Sequence, residues 1–347
     1  MKKIIIIIAS LVVLCVLFLI VSQRNSVSTD IPVLKVGIAP YQDMALLMNP
    51  ESKSLQEKYN LELDLVTLAW EDLTPAISSA TDSLDIAFAS ITEFITNERN
   101  INRNTNDPLV FIYPAYVFLG GSFVSFNPDV PVIKREDLQN TQKLKDFLGY
   151  NFAAQKKSAY EMMLFSVAKE ADVDFKDINI FNIGAGDGLL AAINGSVDVS
   201  SAGLTQRNEA IEQGGRVVLT MGDLGFVDIA GFVVKQSVLD EKREEITNFI
   251  KMWYGSINYV MSDIDNNSFG SIEYLNQQSS TNYTVDSFKQ ALEQEFFPTN
   301  IDDVQNTILN KNSRFDFENI SSTLIDYLLE IGIIDEEPQN IKLLDIN

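Results

Sequence analysis

The chain has 347 residues, room for two ordinary domains or one bilobal fold, and its 46% apolar and 21% charged residues are normal for a folded globular protein. A formal net charge of -22 with no clustered basic tract repels a polyanion and sets nucleic acid aside as a partner. There is no histidine, and the single cysteine, Cys15, lies in an N-terminal apolar run. The commonest general base, the commonest metal ligand and thiol chemistry are therefore missing, so the expectation is a non-enzyme without metal or cofactor.

Met1, Lys2 and Lys3 precede an apolar run from Ile4 to Val21 that only Ser10 interrupts. Its length sits between a long signal segment and a spanning helix. The lysines favour the cytoplasm and send the rest outward. Three readings of residues 1–23 stay open: an uncleaved anchor, cleavage near Ser28, or lipidation at Cys15. All three export the remainder of the chain. Residues 24–31 read as a polar linker.

Val33 to Ile38 then reads as a first strand. Pro50 interrupts any helix begun at Asp43, leaving a short helix that ends near Lys58. Leu61 to Val66 alternates with period two and reads as a strand. A helix over 71–80 and a buried strand over 84–89 come after it. This alternation implies a parallel sheet with helices on its faces. Leu109 to Phe126, with Gly120 and Gly121 in its middle, is a long β-rich stretch that can carry the chain into a second domain. A helix near 144–148 and a strand over 152–155 come next. A helix over 159–171, a strand over 178–183, a helix over 188–194, a strand over 197–201, a helix over 205–213 and a strand over 217–220 make a second α/β unit. Asp228 to Lys235 reads as a return crossing, and 241–334 as mostly amphipathic helix. A chain that crosses twice builds two lobes: 32–119 with 227–347, and 120–226. In open parallel sheets the ligand position is beyond the carboxyl ends of the strands, here between the lobes.

Two capping boxes, Ser90-Ile91-Thr92-Glu93 and Ser158-Ala159-Tyr160-Glu161, each start a helix at a strand's carboxyl end. Facing one cleft, two such helix starts can clamp a small anion from both sides; ordinary capping is the plainer reading of either alone. Gly184-Ala185-Gly186-Asp187-Gly188 fails the dinucleotide fingerprint, because Leu189 stands at the third glycine, and it lacks a P-loop's Gly-Lys-Ser/Thr. Asp187 reads as a cleft residue or a helix cap. Tyr41, Trp70 and Tyr160 sit where aromatics wall a ligand, or pack the core. Gly121 and Ser122 lie in the first crossing, within reach of ligand and hinge. Arg207 is placed to pair with a carboxylate or sulfonate, or is simply solvated.

In order and spacing the chain resembles the nitrate/sulfonate/taurine-type substrate-binding proteins of ABC importers, a group that also includes thiamine-pyrimidine binders. The resemblance runs from Pro32 to Pro298. It rests on Leu34-Lys35-Val36-Gly37, Leu84 to Ala89, Ser158-Ala159-Tyr160, Asn182-Ile183-Gly184 and Leu189 to Asp198. It implies a type II periplasmic-binding-protein fold: two α/β lobes joined by two crossing strands, with the ligand in the interlobe cleft. It also implies contacts at Tyr41, Gln42, Ser90, Gly121, Ser122, Ser158, Ala159, Asp187 and Leu204 or Thr205. The expected partners are a small-molecule ligand, an importer's permease and ATPase, and the membrane through the N-terminal segment. The leading ligand class is a small organic anion. A pyrimidine or amine is the alternative, since Asp43, Glu71 and Asp187 with Tyr41 and Trp70 suit a cationic aromatic ligand. An enzyme on this fold is the competing class, yet the fungal pyrimidine synthase that resembles these binders relies on a histidine. A sensor ectodomain would need a signalling module, and only three residues precede the apolar run.

Overall fold

The protein's structure, a computed structural model, describes residues 31–79, 84–278, 282–330 and 332–346. The apolar N-terminal segment and the linker up to residue 30 lie outside them. Among the described residues no helix is long and apolar enough to cross a membrane.

β1 (Val33–Ile38) and β2 (Glu62–Thr67) pair in parallel, Val33 opposite Glu62. Between them runs α1 (Pro50–Lys58). The 3-10 turn that Asp43 caps, Met44–Leu47, ends before Pro50 as expected, and Pro50 opens α1, with Asn49 as the cap accepting from the Ser52 N–H and the proline where a missing N–H costs nothing. α2 (Trp70–Ser78) follows, then β3 (Ala87–Ser90), preceded by a parallel bridge from Ile86 to Val36 that ties it to β1. α3 (Ile91–Asn102) leads to β4 (Leu109–Phe118), buried along nearly its whole length. The β-rich stretch from Leu109 to Phe126 is two strands in two different sheets, separated at the glycine pair. β4 ends at Phe118, and β5 (Ser122–Ser125) begins across the 119–121 crossing.

The second lobe continues with α4 (Thr141–Leu148), β6 (Phe152–Ala153), α5 (Ala159–Ala171), β7 (Ile180–Phe181), α6 (Ala185–Ile193), β8 (Val199–Ala202), α7 (Leu204–Glu212) and β9 (Arg216–Thr220). Its strand order is β7-β6-β8-β5-β9. The one-turn α8 (Met221–Leu224) precedes the return, and β10 (Asp228–Lys235) re-enters the first lobe. Among the described residues the remainder comprises the helices α9 (Gln236–Glu241) through α15 (Phe317–Glu330), their loops, and a tail bridged by Ile341 to Phe111. A two-residue strand, β11 (Glu295–Phe296), adds to the sheet edge beside β4, giving the order β11-β4-β10-β3.

Neither sheet is wholly parallel. β5 runs antiparallel to both β8 and β9, and β10 antiparallel to both β3 and β4. Each crossing thus delivers a reversed strand to the main sheet it enters, because a chain arriving from the facing lobe meets the strands from their carboxyl ends; in the first lobe's sheet β11 is reversed as well. Gly231 on β10 is required by close approach: a Cβ there would lie 2.1 Å from the Phe111 ring and 2.5 Å from the Tyr113 carbonyl oxygen. The first lobe's core gathers around Phe88, Phe232 and Trp253, with Phe88 and Trp253 ring centroids 5.0 Å apart. The second gathers around Phe123, Phe147 and Phe152. Met162 and Leu204, from the second lobe, pack into the first lobe's core, so the lobes touch through apolar side chains.

Candidate functional site

The loops that leave the carboxyl ends of β1, β2 and β3 converge with those leaving β6, β7 and β8. They enclose a cleft with about 820 Å³ of empty space, its open mouth included. From the first lobe come Tyr41, Gln42 and Asp43 after β1, Trp70 and Glu71 after β2, and Ser90 at the end of β3. Ala159 and Tyr160 after β6, with Gly203 and Leu204 after β8, face them from the second lobe. Tyr41 and Trp70 form one aromatic wall, their ring centroids 6.4 Å apart and tilted by 42°.

The cleft is acidic. Asp43, Glu71, Glu93, Asp228 and Glu295 line it, and among the described residues no lysine or arginine does. Each buried carboxyl is held in its own way. Asp43 accepts from the Met44 N–H at 2.7 Å and hydrogen-bonds with the Tyr116 hydroxyl; burial still raises its pKa to about 6. Glu93 accepts from the Trp70 indole N–H at 2.8 Å. Burial, with the Asp228 charge second, pushes it up to about 8. Glu295 accepts from the Gln42 amide at 2.7 Å, and burial and the Asp43 carboxyl hold it well above the usual range. Burial likewise raises the Tyr41, Tyr116 and Tyr160 hydroxyls, leaving them neutral donors.

Both expected capping boxes are built differently. Ser90 does cap α3, accepting from the Glu93 N–H at 3.3 Å, but Glu93 turns to Trp70 instead of reaching back. The start of α3 already holds an anion, the protein's own Asp228. That carboxylate accepts from Ser90 Oγ at 2.5 Å, Thr92 Oγ1 at 2.9 Å, the Thr92 N–H at 3.4 Å and the Ile229 N–H at 3.0 Å. At α5, Ser158 makes no cap bond. Its hydroxyl donates to the Gln155 carbonyl, and Glu161 accepts from the Lys157 N–H. The residue at that turn, Lys157, has φ +62°, which moves the reaching-back bond one position upstream.

Of the residues singled out in the sequence, Tyr41, Gln42, Trp70, Ser90, Ala159 and Tyr160 meet in the cleft lining. Gly121, Ser122, Ser158, Asp187, Thr205 and Arg207 are not in it. Gly121 abuts the Met221 side chain, and buried Ser122 donates to the Ala202 carbonyl. Asp187 is exposed in the first turn of α6, whose cap is Gly184. Thr205 hydrogen-bonds the Tyr283 hydroxyl and Arg207 the Gln294 side chain, both across to the first lobe at the cleft's rim. Glu93, Asp228, Tyr116 and Glu295 are cleft residues that sequence reasoning did not single out for ligand contact. Asp228 and Glu295 sit at strand starts brought in by antiparallel pairing, which strand-end counting does not find.

Residues 127–266 match the family described as NMT1/THI5 like. No curated protein matches the sequence. Among solved structures, the periplasmic aliphatic sulphonate binding protein SsuA of Escherichia coli is similar at 15% identity and a TM-score of 0.62, covering 89% of this chain and 97% of its own. The periplasmic nitrate-binding protein NrtA of Synechocystis PCC 6803 is similar at 12% identity and a TM-score of 0.64, over 88% and 83%. A Candida albicans protein described as exhibiting the generic periplasmic binding protein structural fold is similar at 15% identity and a TM-score of 0.62, over 90% and 98%. The chain has the periplasmic-binding-protein fold of two α/β lobes and carries an NMT1/THI5 like segment over residues 127–266.

Proposed function

We propose that the chain is an extracytoplasmic solute-binding protein that traps a small molecule between its lobes and delivers it unchanged to an ABC importer. The apolar N-terminal segment serves as its export signal or membrane tether. Residues 32–119 with 227–347 form one lobe and 120–226 the other. The observation that carries this reading is a cleft walled by both lobes at the carboxyl ends of their strands, the position at which open α/β sheets hold ligands.

The lining charge favours the amine alternative over the sulfonate, taurine or nitrate expected first. An anion entering this cleft meets Asp43, Glu71, Glu93, Asp228 and Glu295 with no cationic side chain among the described lining residues, and the start of α3 is taken by Asp228. A small organic cation with a flat body gains both the carboxyls and the faces of Tyr41 and Trp70.

Thermal-shift screening of amines, aminopyrimidines, sulfonates and nitrate tests the reading. A true ligand at 100 times its Kd stabilises the protein by about 2.7 kcal/mol. Small-angle scattering with the same solute is expected to record a more compact particle. Externally added protease should degrade the domain in cells stripped to the cytoplasmic membrane. Full protection there, or steady conversion of the bound solute to a product, counts against the assignment.

A further inference from the structure

Among the described residues Glu295 is the one cleft carboxyl with a buried oxygen that lacks a hydrogen-bond partner. It is only 8% exposed. Its Oε1 accepts from Gln42 Nε2 at 2.7 Å, while Oε2 has no hydrogen-bond partner among the described residues. A buried carboxyl oxygen without a donor is costly, and native proteins rarely leave one unexplained. The other buried acids do not share this condition: Asp228 is surrounded by four donors, and Asp43 has the Met44 N–H and the Tyr116 hydroxyl. The unmet demand in the cleft is therefore for one hydrogen-bond partner, which is a donor once the carboxyl is ionised. An anion supplies no N–H to that carboxylate and is repelled by the acidic lining, and a quaternary ammonium supplies charge without an N–H. A primary ammonium supplies both the N–H and the charge.

We propose that Glu295 anchors a primary ammonium group carried by a small aromatic ligand whose ring lies against Tyr41 and Trp70. The proposal rests on the cleft being the solute site and names the functional group that site is built to hold. Gln42 positions the carboxyl by fixing Oε1 and leaving Oε2 for the ligand. The titratable groups that bear on Glu295 are Asp43 from the loop after β1, Tyr116 on β4 and Tyr283 just before the helix Val285–Leu292, none of them cationic. Burial and the neighbouring Asp43 carboxyl favour the protonated acid in the empty cleft. When the ammonium arrives, the carboxyl O–H bond breaks, the proton leaves to solvent, and the freed oxygen accepts the ligand's N–H.

The test is calorimetry on full-length protein in detergent, with phenethylamine as probe. Its N,N,N-trimethyl analogue, 2-phenylethanol and 2-phenylethanesulfonate serve as comparisons. Phenethylamine is expected to bind with release of a proton, read from the difference between buffers of unlike ionisation enthalpy. The trimethyl and alcohol analogues should bind at least about 10-fold more weakly, and the sulfonate not at all. Glu295→Gln keeps an acceptor for Gln42 and should weaken phenethylamine about 10- to 100-fold with loss of proton release. Glu295→Asp should retain the release. Equal affinities for amine and alcohol, unchanged binding by Glu295→Gln, or no amine binding at about 10 mM overturns the anchor. The analogue comparison needs no variant, so it decides even if a substituted protein does not fold. If a sulfonate or neutral solute compacts the protein while amines do not, the receptor reading stands and the anchor falls. If no solute of any charge compacts it, the receptor reading itself falls.

Discussion

Glu93 illustrates how a side chain's neighbours decide its protonation. Burial raises its pKa from 4.5 to about 8, the Asp228 charge adds to the rise, and the Trp70 hydrogen bond opposes it. A carboxyl with a raised folded pKa binds more protons folded than unfolded. Its stability contribution is complete below the unfolded value of 4.5 and is lost as pH climbs through about 8. Asp43 acts with the same sign between 3.8 and about 6. The melting temperature of the ligand-free protein is thus expected to fall from about pH 5 to about pH 8. Glu93→Gln, which still accepts from the Trp70 indole, should flatten the upper part of that fall. A profile that rises with pH, or one that Glu93→Gln leaves unchanged, would contradict this account. Tyr41, Gln42, Trp70, Ala159 and Tyr160 were legible in the sequence because each follows a strand end within a few residues. Asp187 and Arg207 also follow strand ends, but which way a first-turn side chain points depends on packing that one sequence does not print.

At the scale of elements, the joint between α3 and β10 is the part of the site that local pattern hides. Ser90, Thr92 and Glu93 announce a helix start, yet the group that occupies it comes from Asp228, far along the chain. Asp228→Ala removes the acceptor for two buried hydroxyls and should cost about 1–3 kcal/mol, seen as a lower denaturation midpoint with unchanged slope. Gly231→Ala, on the same strand, drives a methyl into the Phe111 ring and the Tyr113 carbonyl. Overpacking of that kind should cost about 1–3 kcal/mol or more. Elements with a clear period, such as α5, stand where the sequence puts them. β11 could not be read, since two residues inside a helical tail carry no alternation, and its existence depends on the edge that β4 offers.

Across the whole molecule, the order of α/β unit, crossing, α/β unit, crossing and helices was legible in one pass, because each β-α-β repeat is a local signal. The contacts between the lobes were not. The Phe165 and Tyr327 rings meet edge to face at 4.9 Å, α5 against α15, and Thr96 donates to the Lys157 carbonyl at 2.9 Å. An aromatic pair of this kind contributes about 0.5–1.5 kcal/mol, so Phe165→Ala should shift the lobes toward the open form and weaken ligand binding by about 2- to 10-fold. Scattering on the ligand-free variant should give a larger radius of gyration. An unchanged radius with unchanged affinity would show that the pair plays no part in closure.

The origin of the cleft's charge along the chain has its own consequence. Asp43, Glu71, Glu93 and Glu295 all fall outside residues 127–266, and only Asp228 falls within. The segment that carries the family likeness therefore supplies half of the trap but little of its polarity. The two properties can drift independently under selection. The sign of the cleft's charge could be reversed by substitutions confined to the first lobe while the facing half stays intact. For the engineer, the same division makes the first lobe the cartridge and the second the housing.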